Sequence, residues 1–233
     1  MTVLLLRLAA PLQSWGDKSR FSRRETRPEP TKSGVLGMLA AAQGRRRVDP
    51  VEDLAQTRFG VRVDQPGSLV RDFHTAHDGA GKSMPLSHRY YLADAVFVVA
   101  VEGDPTLIQG LHDAVVAPVF PLFLGRRSCP PSGVVALGLR DSELDRALRT
   151  EPWQAAVWYR RRRPDPTPLE LVRDAADPAE EGELVRDQPM SFDPRQREWG
   201  WRTVVRPEPV LVPNPEATTT RPRHDPFELL AQS

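Results

Sequence analysis

His74, Lys82, His88 and Tyr90 fall within 17 residues of one another. Side chains of these types can cleave RNA without a metal. One activates a 2′-hydroxyl and another protonates the leaving oxygen. The same types at a hairpin edge also make structural contacts or stack on bases. Nothing in their spacing fixes a mutual geometry. Other catalytic arrangements are missing. There is no P-loop and no nucleophile elbow. Gly34-Val35-Leu36-Gly37 is not a dinucleotide fingerprint, because no strand runs into it and a third glycine is lacking. His74 and His77 are three apart, but no carboxylate or cysteine set completes a ligand cluster. The sequence therefore calls for no metal and no cofactor.

Arginine placement is more informative. Residues 1–47 hold ten basic and three acidic residues, so this segment is +7 and the remainder −6 in a chain of net charge +1. Only three of the 32 basic residues are lysines, which a coding bias toward arginine explains; the bias does not explain their clustering. Asymmetry of this size points to a polyanion-facing side. Phosphate positioning needs arginines, lysines and helix N-termini. The loop with Arg20, Arg23, Arg24, Arg27 and Lys32 leads straight into a helix start at Ser33-Gly34. Arg126-Arg127-Ser128 supplies a second basic turn. Trp15, Phe21, Phe73, Tyr90 and Tyr91 lie beside these segments and could stack on bases. The structural alternatives are equally concrete. Trp15 and Phe21 can anchor a long loop to the core, and Arg45–Arg47 and Arg160–Arg163 can be solvated helix ends.

The 233 residues are 39% apolar and 27% charged, an ordinary globular composition. The longest apolar runs fall far short of a membrane span. The first residues read as a strand rather than a signal peptide. One cysteine, Cys129, excludes an internal disulfide framework and a thiolate-rich zinc site. These features fit a reducing cytoplasm and no membrane.

The elements that must position these residues follow from pattern. Val3–Ala9 reads as a buried strand. Thr31 or Ser33 can cap a helix over 34–43, whose small residues suit close packing. Asp49-Pro50-Val51-Glu52 starts a short second helix. Arg58–Asp64 alternates, with Phe59, Val61 and Val63 on one face and Arg58, Arg62 and Asp64 on the other. Leu69–His74 returns as a partner strand, 75–87 is a polar mobile loop or protruding hairpin tip, and Arg89–Val101 is one long strand. A helix over 106–116 precedes strands at 119–124 and 134–139. A helix over 142–149 follows. Residues 164–187 hold eight acids and read as a solvated loop. Trp199–Val205 is a strand. From Pro207 on, six prolines in 27 residues predict an extended or disordered tail. The order over 3–124 is βαββαβ, an α+β, ferredoxin-like (RRM-like) arrangement.

Several blocks in order carry a family resemblance. They are Leu5–Gly16, Arg27–Gly37 around Pro30-Thr31-Lys32-Ser33-Gly34, Val70–Thr75, Arg89–Ala95, Leu124–Pro130, Arg186–Met190 and Arg197–Trp199. Together they resemble the CasD-type subunit family of the type I-E CRISPR Cascade surveillance complex, within the RAMP superfamily. The resemblance implies a RAMP domain over 1–140 with a β-hairpin thumb at about 71–89, a C-terminal subdomain over 141–206 and a Pro-rich tail over 207–233. It implies a non-catalytic, RNA-binding, cytoplasmic antiviral subunit that caps the crRNA 5′ handle. Its partners would be the PAM-reading large subunit, the first helical backbone subunit and, through the complex, target DNA. The thumb around Lys82, the loop Arg20–Lys32 with Ser33-Gly34, and Arg126-Arg127-Ser128 would hold the RNA. In a related subtype the equivalent subunit is an endoribonuclease, so a nuclease using His74, His88, Tyr90 or Lys82 stays open beside this reading.

Overall fold

The computed structural model describes residues 1–16 and 23–218. β1 (Thr2–Ala9) sends Leu4, Leu6 and Leu8 to one core layer and Val3 and Leu5 to another. An uninterrupted apolar strand demands that double cover. β2 (Leu12–Gln13) and β3 (Arg23–Arg24) are short. α1 (Lys32–Ala42) begins where Thr31 Oγ1 accepts the Gly34 N–H. α2 (Glu52–Ala55) lacks the expected Asp49 cap, because that carboxylate accepts the Arg46 N–H instead.

β4 (Arg58–Gln65) and β5 (Ser68–His74) flank the Pro66-Gly67 turn. The single strand expected over 89–101 is two strands, β6 (Ser87–Ala93) and β7 (Val96–Gly103). Asp94, at φ +56°, turns the chain between them. Its N–H donates to the Pro11 carbonyl and its own carbonyl accepts Gln65 Nε2. α3 (Pro105–Val116) has Asp104 as cap and proline at its first position.

Val119–Leu124, expected as a strand, is irregular. Its N–H at Val119 is spent on the Ala42 carbonyl at the end of α1, and Pro121 cannot donate to a ladder. β8 (Ala136–Arg140) takes the sheet position instead. α4 (Leu144–Thr150) and α5 (Val157–Arg160) follow. The acidic stretch is not a solvated loop. It contains β9 (Thr167–Leu169), β10 (Leu171–Asp174) and the first part of β11 (Glu183–Ser191). β12 (Glu198–Val205) precedes β13 (Val210–Val212), which pairs with β9. The described residues after Pro207 are thus extended, but part of them is a paired strand.

The main sheet runs β11-β12-β10-β4-β7-β1-β8, each neighbouring pair antiparallel. A second sheet joins β2, β6 and β3, with β5 on β6. α1 and α3 cover one face of the main sheet with Val35, Leu36, Leu39, Ile108 and Leu111. α4 covers the other with Leu144, Ala147 and Leu148. Gly60 makes room for it, since a Cβ there would come 2.8 Å from Leu144 and Leu148. β4 is therefore buried on both faces, not one. Arg62 and Asp64 are fully buried and pair at 2.7 Å, and Arg62 Nη1 also donates to the Leu148 and Glu151 carbonyls at the end of α4. Burial pushes the Asp64 carboxyl up and Arg62 opposes that shift. The architecture is mixed α/β with a large antiparallel sheet.

Candidate nucleic-acid interface

Trp15 fixes the entry to α1. It is 1% exposed, and its indole donates to Gln13 Oε1 at 3.1 Å. Gly34 lets the ring lie against the helix start, since a Cβ there would sit 3.0 Å from the ring and 2.8 Å from Thr31 Oγ1. Trp15 is thus an anchor and not a stacking surface. Its bridge to Arg27 carries the chain back from the loop. Arg20 and Phe21 lie outside the described residues.

Lys32 does not face outward. Its ammonium meets Asp174 at 3.0 Å with only 4% of the side chain exposed. Burial lowers its pKa and Asp174 pulls the other way. Arg202 completes a buried cluster, reaching Asp187 at 2.5 Å and Asp174 at 2.6 Å. Burial opposes its charge too, but its bonds to the two carboxylates prevail and raise its pKa. The N–H of Lys32 donates to Asp187 Oδ2 at 2.9 Å. An internal carboxylate therefore already sits at the positive end of α1. Pulling Lys32 out to a phosphate would strand buried charge, at about 3–5 kcal/mol. That corrects the expectation for the Lys32 side chain, which faces Asp174 and not solvent.

The second basic turn is built for display. Gly125 has φ +84°, and a Cβ there would lie 1.7 Å from the Ser14 carbonyl oxygen. Cys129 closes the turn, donating its N–H to the Arg126 carbonyl and accepting from Leu124. Burial raises the Cys129 thiol pKa. Arg126 lies 4.5 Å above the Tyr91 ring and donates to the Arg24 carbonyl at 3.1 Å. Its Nη1 is shut from solvent with no partner among the described residues. Arg23 lies 5.2 Å above the Tyr90 ring and pairs with Glu25. Arg127 and Ser128 are exposed.

Between this turn and α1 lies a cavity of about 740 Å³. Ser33, Gly34 and Arg127 line it, so the structure brings these expected residues together. Arg45, Arg46, Arg47 and Arg197 line it as well, and among the described residues no acidic one does. Phe120, Phe123, Phe192 and Trp199 give it an aromatic floor. Arg45 is held by Asp53 at 2.5 Å. The guanidinium groups of Arg46, Arg47, Arg127 and Arg197 have no carboxylate partner among the described residues. Arginines beside aromatic and apolar side chains suit a ligand with phosphates and an unstacked base. The charge run 45–47 signals part of this set. Phe192, Arg197 and Trp199 lie more than 60 residues beyond Arg127 in sequence, so no local pattern joins them to the basic turn.

β5 and β6 form an antiparallel hairpin with Lys82 in its exposed tip. The register pairs His74 with Ser87 and Phe73 with His88. Alternation puts His88 and Tyr90 on one face and His74 on the other. His74 meets Asp72 at 3.0 Å. The four acid/base candidates are thus not assembled into one site. Among the described residues no group of three His, Cys, Asp or Glu could hold a metal ion.

These features define a mixed α/β protein with an arginine-lined cleft and an exposed β-hairpin. The chain belongs to the family described as CRISPR-associated protein (Cas_Cas5), whose profile matches residues 3–205. It is 32% identical to the CRISPR system Cascade subunit CasD of Escherichia coli (strain K12), covering 84% of this chain and 93% of that protein. A structure described as the crystal structure of a Cas protein matches with TM-score 0.72 at 41% identity, over 92% of this chain and 97% of that one. A chain of a CRISPR RNA-guided surveillance complex matches with TM-score 0.73 at 33% identity, over 91% of each.

Proposed function

We propose that this chain is a non-catalytic, crRNA-binding subunit of a type I-E Cascade assembly, capping the 5′ handle of the crRNA. One observation carries the reading: Arg46, Arg47, Arg127 and Arg197 converge on an aromatic-lined cavity with no acidic lining residue among the described residues. The exposed Arg127 and Ser128, beside an Arg126 stacked on Tyr91, support it. So do the relatives' names, a Cascade subunit and a surveillance complex.

The finer parts belong to the same reading. The succession β1, α1, β4, β7, α3, β8 with sheet order β4-β7-β1-β8 supports a ferredoxin-like RAMP core. The β5–β6 hairpin is its thumb, with Lys82 tracking phosphate at the tip. Arg23, Arg24 and Arg27 border the handle path. The large subunit and the first backbone subunit are the protein partners, and target DNA is met through the complex. The location is cytoplasmic. Among the described residues no helix is long and apolar enough to cross a membrane.

The nuclease alternative loses support from the hairpin register, which separates His74 from His88 and Tyr90. The test uses the purified chain and end-labelled repeat RNA with EDTA, on native and denaturing gels. A shifted band with intact RNA is expected. A discrete cut leaving a handle-length 5′ extension would overturn the non-catalytic assignment.

A further inference from the structure

Arg160, Arg161, Arg162 and Arg163 follow one another at the end of α5. A merely solvated charge run needs no fixed backbone, yet this turn is held from behind. The buried Asn214 shares its Nδ2 among the carbonyls of Arg160, Arg163 and Pro164, at 2.8, 3.0 and 3.2 Å. Thr218 donates its N–H and hydroxyl to the Arg161 carbonyl, at 3.2 and 2.7 Å.

The front of the turn is aromatic. The Arg163 guanidinium lies 4.4 Å from the Tyr159 ring centroid, and that of Arg162 lies 5.6 Å from Trp158. Tyr159 meets Trp158 edge-on at 5.9 Å. Trp158 remains 49% exposed. Carboxylates are scarce here. Glu216 reaches only Arg160, at 4.0 Å, and the Asp165 carboxylate accepts the Asn214 N–H. Arg161, Arg162 and Arg163 have no carboxylate partner among the described residues.

We propose that this turn is a second nucleic-acid contact, which holds single-stranded nucleic acid without sequence selection and apart from the handle site. Four guanidinium groups on one turn repel one another, and a phosphate backbone relieves that repulsion. Guanidinium forks match phosphate oxygens. Stacking on Trp158 and Tyr159 orients two of the forks in advance. The exposed indole adds a sequence-tolerant stacking surface for a base. An acidic peptide would satisfy the arginines but leave the indole without a flat partner.

The test uses the full chain and fluorescein-labelled dT20, which carries no handle sequence. Arg161→Gln/Arg162→Gln is the main variant, because both side chains are exposed and neither pairs with a carboxylate among the described residues. Trp158→Ala is the second, with melting curves recorded for each. The expected result is about tenfold weaker dT20 binding in either folded variant. Handle-RNA affinity stays within about twofold of wild type, and 5-iodouracil in dT20 cross-links to Trp158 or Tyr159. Wild-type dT20 affinity in the arginine variant overturns the proposal. So does an unchanged affinity accompanied by loss of co-purifying partner subunits, which would make the turn a protein interface. Loss of handle binding in Arg126→Ala/Arg127→Ala with dT20 binding kept separates this site from the handle site.

Discussion

The Asp187 carboxylate accepts the backbone N–H of Lys32 at 2.9 Å, so a residue of β11 terminates a helix 155 positions earlier in the chain. It also binds Arg202 through both oxygens. Asp187→Ala leaves Arg202 and the Lys32 N–H short of a buried acceptor. Urea denaturation should show a loss of about 3 kcal/mol or more. A loss under 1 kcal/mol would mean that water replaces the carboxylate without cost.

Gly125 and Ser14 set the basic turn. Gly125→Ala forces a left-handed residue to carry a Cβ into the Ser14 carbonyl. We expect a lower melting temperature, from roughly 3 kcal/mol of lost stability, and weaker handle binding, since Arg126 and Arg127 ride on that turn. Calorimetry and anisotropy on the same variant check the two effects together.

Cys129 is 1% exposed and its thiol is raised by burial. The folded protein should resist iodoacetamide at pH 8 and react fully once unfolded. Rapid labelling of the folded state would contradict the packing drawn around the turn.

Glu180 is clamped by both terminal nitrogens of Arg173 and by the Ala176 N–H. The side-chain bonds to Arg173 lower its pKa from 4.5 to about 2. A depressed acid binds fewer protons folded than unfolded, so its contribution is complete above 4.5 and fades as pH falls toward 2. The protection factor of the Ala176 amide, the slowing of its exchange relative to an unstructured peptide at the same pH, should fall as pH drops across that window. In Glu180→Gln that factor should be low throughout and show no step.

Much of the core was legible from period alone. β1, β4 and α3 emerge from their apolar spacing because their neighbours enforce that spacing. Asp94 was not legible: Tyr, Val and Phe continue through it, and only a positive φ divides β6 from β7. Val119–Leu124 looks like a strand because its apolar residues line a cleft rather than a sheet. The acidic stretch misleads because charge usually means solvent, whereas Asp174 and Asp187 find Lys32 and Arg202 across more than one hundred residues or a neighbouring strand. The same long-range pairing hid the site. Arg126 and Arg127 are readable as a basic turn. That Lys32 turns inward, while Arg197 and Phe192 join the cleft, depends on how β11 and β12 dock against α1.

The most direct measurement is the affinity of an RNA carrying the repeat-derived 5′ handle, read by fluorescence anisotropy over a range of salt. It compares wild type with Arg46→Ala/Arg127→Ala/Arg197→Ala. All three side chains are exposed, so the variant should melt as wild type does. Losing three phosphate contacts should weaken binding about tenfold or more and flatten the log–log salt slope by about 2. Wild-type affinity with an unchanged salt slope would contradict the placement of the handle in this cleft.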